Sequence, residues 1–548
     1  MRKQHIIAAG VLSLMLMTSC SNSSSGTNSK TNGSSSEVSV TETSGDSSVT
    51  EQTEESELKQ EQKCMPLLSI KTVSQEKDVM DFVTKPVNHF VAESIASWTP
   101  GYVIPPEPYN EACTAELKDS NGQILLTETE AEVKVRGNWT TSYDKKPLRI
   151  KFKEKQNLAG MNEGGKMRNW VLLAEYKDGS MLRNKSALYI SRKILKPDGY
   201  YASDAQFVEV EINGEYWGVY LLAELQQVNP LRININEPEK DYQGTDIGYL
   251  LEFDGYFRNE DALHQIEADY ADNAELIPFD GNGGSGRKIK CQPEKSSDRK
   301  KEVGIKINST INSQEQHDFI ADYINNVYRI MYSAAYEHKA LVFDSDYKTI
   351  SESKDITPEE AVKTVVDVQS LADMYIVSEL TCDADIYWSS FFMDVDFSSS
   401  GNKKLRFEAP WDFDSSMGNK DRCADGTGFY AANIVPDVNG NEYKTINPWL
   451  AVLMNEEWFQ NIIREKWTKI YDEGIFESAL DMIENDKNEY KPAFDRNYKR
   501  WNNLSDISEF GNELSAGAAS CRTHEKAADY LASWLTNRVE FLNDYWHS

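Results

Sequence analysis

Two aspartates two residues apart, Asp412 and Asp414, stand in the run Pro410-Trp411-Asp412-Phe413-Asp414, with Gly418-Asn419 just after. The preceding Leu405 to Phe407 reads as a strand, so the pair falls at a strand end. Carboxylates at this spacing can aim at one hard cation while the ring between them packs inward. Mg²⁺ takes such oxygen ligands and shares its other positions with phosphate oxygens. The same side chains would also cap a backbone turn. A third carboxylate, Asp385, lies upstream in Asp383-Ala384-Asp385-Ile386-Tyr387-Trp388-Ser389-Ser390. It can orient a hydroxyl and take its proton, or simply end a helix. Cations concentrate much earlier: Arg136-Gly137-Asn138-Trp139-Thr140-Thr141 is followed by Lys145, Lys146, Arg149 and Lys151. The chain carries 58 basic and 88 acidic residues, a net charge of −30, so this cluster stands out. It is either a local anion site or a solvated strand face.

The elements that must position these residues change character along the chain. Ala115 to Leu117, the turn Asp119 to Gly122 and Ile124 to Leu126 predict a hairpin. Leu148-Arg149-Ile150-Lys151-Phe152 alternates, placing Arg149 and Lys151 on one face and the apolar residues on the other. Leu182 to Leu195 reads as a helix started by Asp178-Gly179-Ser180. Phe207 to Ile212, Asn213-Gly214, and Trp217 to Leu222 read as a second hairpin, and Tyr249 to Phe253 as a further strand. Gly281, Gly283, Gly284 and Gly286 lack the Gly-Lys-Ser/Thr ending and following helix of a phosphate loop, so 265–300 reads as a mobile loop. From Ser313 helices are expected at about 313–340, 358–380, 447–472, 476–488 and 523–545. One strand pair, Phe391 to Val395 and Leu405 to Phe407, interrupts them. Strands first and helices second fit an α+β architecture with two lobes, and no internal repeat is visible. The order helix, Asp385 loop, hairpin, Asp412-Phe413-Asp414 is that in which protein kinases lay out a catalytic Asp and a metal-binding Asp.

The N-terminus reads as an export signal. Arg2 and Lys3 precede a short apolar stretch, Ile6 to Met17, and Leu16-Met17-Thr18-Ser19-Cys20 looks like a bacterial lipobox with Cys20 as the lipidated residue. No stretch is long and apolar enough to span a bilayer. Residues 21–62, nearly all Ser, Thr, Gly, Asn, Glu and Gln, predict a disordered tether. The expected organisation is signal peptide 1–20, tether 21–62 and a domain over 63–548, with an N-lobe to about 260 and a C-lobe from about 305. Six cysteines beyond Cys20 allow up to three disulfides outside the cytoplasm, with Cys382 and Cys423 the first pair to test. They show no zinc-site spacing. The acidic balance argues against nucleic acid as a partner.

Several further motifs carry a resemblance: Val135-Arg136-Gly137-Asn138-Trp139, Lys145 to Phe152, Trp170 to Ala174, Leu182-Arg183-Asn184-Lys185, Phe207 to Val210, Gly214 to Glu224 and Pro410 to Asp414. In this order they resemble the CotH family of secreted kinase-like proteins over roughly residues 65–480. The resemblance implies an atypical two-lobed protein-kinase-like fold, with a strand-rich N-lobe and a helix-rich C-lobe. It implies phosphoryl transfer from ATP, with Mg²⁺ or Mn²⁺, to Ser/Thr hydroxyls of an extracytoplasmic protein at the bacterial cell surface. Lys146 and Lys151 would then touch phosphates with Arg136 near them, and Glu224 would lie at the lobe connection near the adenine. Asp385 would be the catalytic carboxylate, and Asp412 and Asp414 the metal ligands. Arg183 and Asn184 look like a family signature or a structural clamp. Asp383 stands where many members carry Asn, and no second kinase-like Asn ligand follows Asp385; Ser389 and Ser390 stand nearby instead. The alternative is a non-catalytic surface module for adhesion or polymer-associated assembly, which the anchor, the tether and the abundant Trp and Tyr would also suit.

Overall fold

The computed structural model describes residues 64–74, 80–268, 275–283, 286, 288–290, 303–387, 389–421, 424–434 and 446–548. The leader, Cys20, the tether, Cys291 and Cys423 lie outside them, and with Cys423 the expected pairing to Cys382. All described residues belong to one unit, Lys63–Ser548.

Seven strands of the first half close into a barrel. They are β1 (Leu67–Thr72), β2 (Glu111–Lys118), β3 (Ile124–Val135), β4 (Leu148–Gln156), β5 (Met167–Leu173), β6 (Ala205–Ile212) and β7 (Glu215–Glu224), in the order β1-β2-β3-β4-β5-β7-β6. Neighbours are antiparallel except β1 and β6, whose parallel pairing completes the ring. Closure leaves no open edge. The β6–β7 turn places Asn213 and Gly214 at φ 53° and 81°, the left-handed pair a two-residue hairpin requires.

The burial pattern of each strand follows from what covers it. On β4, Leu148, Ile150 and Phe152 fill the barrel while Arg149 is half-buried and Lys151 exposed on the outer face. β5 and β7 are buried on both faces: Trp170, Leu172, Tyr220 and Leu222 point into the barrel, and Val171, Val219 and Leu221 join the core of the helical half. A strand covered on both sides reads as an unbroken apolar run, and Val219 to Ala223 is one.

The other half combines helices with a five-stranded antiparallel sheet. Its strands are β8 (Gly248–Asp254), β9 (Gln265–Ile266), β10 (Gly304–Ile307), β11 (Phe391–Asp396) and β12 (Arg406–Phe407), ordered β12-β11-β8-β10-β9. β8, read from sequence with the strand-rich half, therefore pairs along its length with β11. The main helices are α1 (His89–Trp98), α2 (Arg183–Leu195), α3 (Gln314–Tyr332), α4 (Pro358–Val365), α5 (Val368–Thr381), α6 (Glu457–Asp472), α7 (Ile475–Glu489), α8 (Lys491–Trp501) and α9 (His524–Trp546). The α+β class stands. None of the helices among the described residues is long and apolar enough to cross a membrane.

Two helices expected as single rods are interrupted. Between α4 and α5, Val366 and Asp367 are extended, Asp367 caps α5 by accepting from Ser370 N, and Leu405 N donates to Val365 O. The expected 447–472 helix splits into Pro448–Ala451 and α6. α8 is a mostly polar helix whose narrow buried face is Ala493, Phe494 and Asn497. Asn497 Oδ1 accepts from Lys145 Nζ at 3.0 Å and Val219 N at 3.1 Å, fastening α8 to the barrel. α9 is fastened to the end of α5 by the fully buried Arg538–Glu379 ion pair. Arg538 also donates to Glu379 O, and the Glu379 carboxylate accepts from Tyr430 N and Ala431 N.

The contact of α8 with β7 needs a glycine. At Gly218, φ +125°, a Cβ would stand 2.7 Å from Asn497 Oδ1 and 2.8 Å from Trp501 Nε1. Gly218→Ala is expected to cost about 2–4 kcal/mol through backbone strain and displacement of α8. Urea unfolding checks this, and a midpoint unchanged from wild type would refute the packing account.

Candidate functional site

Two loops bring the aspartates together, and both are anchored from below. α5 ends on Cys382 in the left-handed conformation, φ 48°, and the chain turns at once into Asp383-Ala384-Asp385. Buried Asp383 accepts from Asp385 N at 3.0 Å, which fixes that turn. The second loop leaves β12 through Ala409 at φ 62° and reaches Asp412 at φ 73°. Left-handed backbone is costly for most side chains and least so for Asn and Asp. It is held here because Trp411 and Phe413 are buried and Phe413 N donates to Asn184 Oδ1 at 2.8 Å. Asn184 in turn donates both ways from Nδ2 to the buried Glu175 carboxylate at 3.1 Å. Met417 N donates to Thr381 O at 2.8 Å and so ties the second loop to the end of α5.

The loops assemble Asp383, Asp385, Asp412 and Asp414 within electrostatic reach of one another. Burial, then the Asp385 charge, holds Asp383 well above the usual carboxylate range. Burial also raises Asp412, followed by repulsion from Asp385 and Asp414, with Arg136 and Lys177 pulling the other way. Asp414 is raised by burial against the pull of Lys177. Such a set is uncomfortable without a cation. Among the described residues no three His, Cys, Asp or Glu side chains form a ready-made metal cage. The donor set nevertheless fits Mg²⁺ or Mn²⁺ of the phosphate-bound kind, which needs only one or two protein carboxylates beside water and phosphate oxygens.

The cation facing these aspartates is Lys177, in the loop that follows β5. Burial works against its charge, yet Asp414, Tyr143, Glu513 and Asp385 hold it well above the ordinary lysine value. Lys177 Nζ lies 3.4 Å from Asp414 Oδ1 and 3.6 Å from Glu513 Oε2, and donates to Ser415 Oγ at 2.5 Å. Glu513 comes from a segment between α8 and α9. Its Oε1 accepts from Tyr143 OH at 2.8 Å and Trp139 Nε1 at 3.0 Å. The loop 137–144 is thus strapped to the lysine. Arg136, half-buried, feels Asp412 first among its neighbouring carboxylates and Glu252 next.

Of the residues singled out in the sequence, Asp385, Asp412, Asp414 and Arg136 fall in this cluster. Lys146 lies beneath the 137–144 loop, donating to Thr141 O at 2.6 Å and Tyr143 O at 2.9 Å, and burial pushes its pKa down to about 8. Lys151 stands on the exposed outer face of β4. Glu224 is fully buried, accepting from Arg232 Nε at 3.0 Å, Asn162 Nδ2 at 2.9 Å and Asp204 N at 3.1 Å. Arg183 and Asn184 act as a clamp, because Arg183 forms a buried ion pair with Asp178 and donates from Nε to Met417 O at 3.3 Å. Lys177, Glu513 and Glu175 were not visible in the sequence, whereas a clamp was one of the two readings it offered for Asn184. The one signal was the position of Lys177 just after the Trp170 to Ala174 motif.

The family model described as CotH kinase protein matches residues 133–339 and 333–542, a span containing every residue of this cluster. The chain belongs to the CotH family. Comparison with curated proteins finds no match for this CotH chain.

Asp412→Asn keeps a side chain that tolerates the left-handed backbone and removes one repelling charge. In cation-free buffer at neutral pH it is expected to stabilise the fold by about 1–2 kcal/mol in urea unfolding. The raised Asp412 pKa makes the folded state retain a proton the unfolded chain releases. The wild-type deficit is therefore absent below the unfolded carboxylate range, grows as pH rises toward the raised value, and persists above it. Added Mg²⁺ is expected to stabilise wild type more than the variant. A variant less stable than wild type at neutral pH would contradict the repulsion argument.

Proposed function

We propose that this CotH protein transfers the γ-phosphoryl group of ATP to a protein Ser/Thr hydroxyl outside the cytoplasm. The observation that carries this is the grouping of Asp385, Asp412 and Asp414 around Lys177 with Arg136 alongside. In this reading the barrel and the helical half serve as the two lobes of a kinase-like fold. Cys20 and the 21–62 tether hold the domain at the membrane surface.

Asp385 accepts the proton of the attacking hydroxyl as its oxygen bonds to the γ-phosphorus. The bond from that phosphorus to the β,γ-bridging oxygen breaks, and ADP leaves with the bond electrons. Asp412 and Asp414 would hold Mg²⁺ or Mn²⁺, which when bound neutralises phosphate charge. Lys177 and Arg136 supply fixed positive charge from the barrel side, and Glu513 orients Lys177. Asn184 and Glu175 keep the Asp412 turn in its left-handed form. Phosphate contact is assigned to Lys177 and Arg136 because Lys146 is occupied by backbone carbonyls and Lys151 faces outward.

Incubation with labelled ATP and Mg²⁺ or Mn²⁺, following label on the protein and on added acceptor, tests the reading. Asp385→Ala is expected to lose activity by about 100-fold or more. Equal labelling of wild type and this variant would defeat the role of Asp385. Absence of nucleotide binding in calorimetry, with and without metal, would favour the surface-module alternative.

A second comparison separates the lysines. Lys177→Met is expected to lower kcat by about 100-fold, the scale of removing one preorganised charge. Lys151→Ala should stay within about twofold, as for an exposed charge. The reverse ranking would return the phosphate contact to β4.

A further inference from the structure

Val133 and Val135 of β3 fill the barrel, so Lys134 between them faces outward. The antiparallel register sets it directly opposite Arg149 of β4. Like charges so placed, with about 5 Å between their Cβ atoms, repel. On its other side Arg149 meets Val171 of β5, an apolar neighbour. Glu132, the carboxylate sharing this face of β3, is exposed and stands opposite Lys151. Among the described residues neither Lys134 nor Arg149 has an ion-pair or side-chain hydrogen-bond partner. Both are half-buried. Burial, then the Arg149 charge, lowers the Lys134 pKa, and burial lowers that of Arg149 against the pull of Glu132. Of the Arg149 nitrogens only Nε is closed to solvent, so the Nη pair is presented outward beside Lys134 Nζ. Two uncompensated cations side by side are unexpected in a chain of net charge −30. They also adjoin the carboxylate cluster, because Arg136, which faces Asp412, feels Arg149 as well.

We propose that Lys134 and Arg149 bind a phosphate group other than the one being transferred. Two of its oxygens accept from the Arg149 Nη pair and a third from Lys134 Nζ, which turns a repelling pair into a shared anion site. The guanidinium fork matches phosphate geometry, and the open face selects charge rather than size. Lys151 is left out because it is fully exposed and faces Glu132. Two sources offer this chemistry: the inner phosphates of the nucleotide, or a phosphate ester already present on the acceptor. Calling the group other than the transferred one rests on the phosphoryl-transfer reading. The anion site does not, because its binding is read without metal and without turnover, and it can stand or fall alone.

The test is calorimetry of the full chain in metal-free buffer at constant ionic strength. The probes are inorganic phosphate, ADP, and a Gly-Ser peptide with and without one phosphoserine. Lys134→Met and Arg149→Met are each expected to weaken phosphate binding about tenfold, the scale of one charged hydrogen bond. Lys151→Met should stay within about twofold. A matching loss for ADP names the nucleotide as the source. A matching loss for the phosphopeptide, with the unphosphorylated peptide unaffected, names the ester. Phosphate affinity unchanged in both variants, or an equal loss in Lys151→Met, would overturn the proposal. Loss for inorganic phosphate alone would mark an adventitious ion only and overturn it too. Urea unfolding in chloride supplies a second reading. Lys134→Met keeps an apolar stem and removes a repelling charge, so its midpoint should be no lower than wild type. A lower midpoint would contradict the uncompensated pair.

Discussion

Four carboxylates gathered on two short loops repel one another, and much of the surrounding architecture is what keeps them gathered. Charges of one sign in a partly desolvated setting would separate if their loops were free, because the repulsion there is far less screened than in water. They are not free. Asp383 is pinned by its own turn, Asp412 by the Phe413 to Asn184 bond, and the two loops by the Met417 to Thr381 bond. Lys177 supplies the direct counter-charge, and it is held in turn by Glu513. The cost is spread over elements distant in sequence, each contributing one contact.

That distribution accounts for the left-handed residues around the site. Cys382, Ala409, Asp412 and Met417 all have positive φ and all flank the carboxylates. Such conformations persist only where surrounding contacts over-determine them. Buried Trp411 and Phe413 and the Asn184–Glu175 bridge do this on one loop, and the Arg538–Glu379 pair with its backbone contacts does it at the end of α5. A backbone placed this way aims side chains that a regular turn would point elsewhere.

Local pattern in the chain was enough for β2, the start of β3, β4, β6 and β7, the Asn213-Gly214 turn and the hairpin leading to Asp412, because period and turn chemistry are short-range. The acidic part of the site was legible for the same reason, since Asp385 and Asp412 each follow a recognisable element. The cationic part was not. Alternation on β4 puts Arg149 and Lys151 on one face, but only the finished barrel decides that this face looks outward. Lys177 lies in a loop without period between Tyr176 and Asp178, and Glu513 in a segment with no strong element signal. Their partnership exists only because α8 and α9 fold the end of the chain back over the barrel. α8 is mostly polar and buries only Ala493, Phe494 and Asn497, so its sequence carries little apolar signal for a packed helix.

The parallel seam between β1 and β6 has a bearing on how such a chain acquires its shape. β1 is the first stave of the barrel, yet its second neighbour lies beyond β5 and α2, so the ring stays open until that whole stretch has emerged. Glu513, Asn497 and Arg538 arrive later still, and each fastens something made long before. Assembly from the leading end can therefore close the ring once β6 and β7 are present, but cannot fasten it to the loops of the cluster. The last helices act as the bolt, so a product cut short before them would carry every aspartate of the cluster and still lack the frame that aligns them.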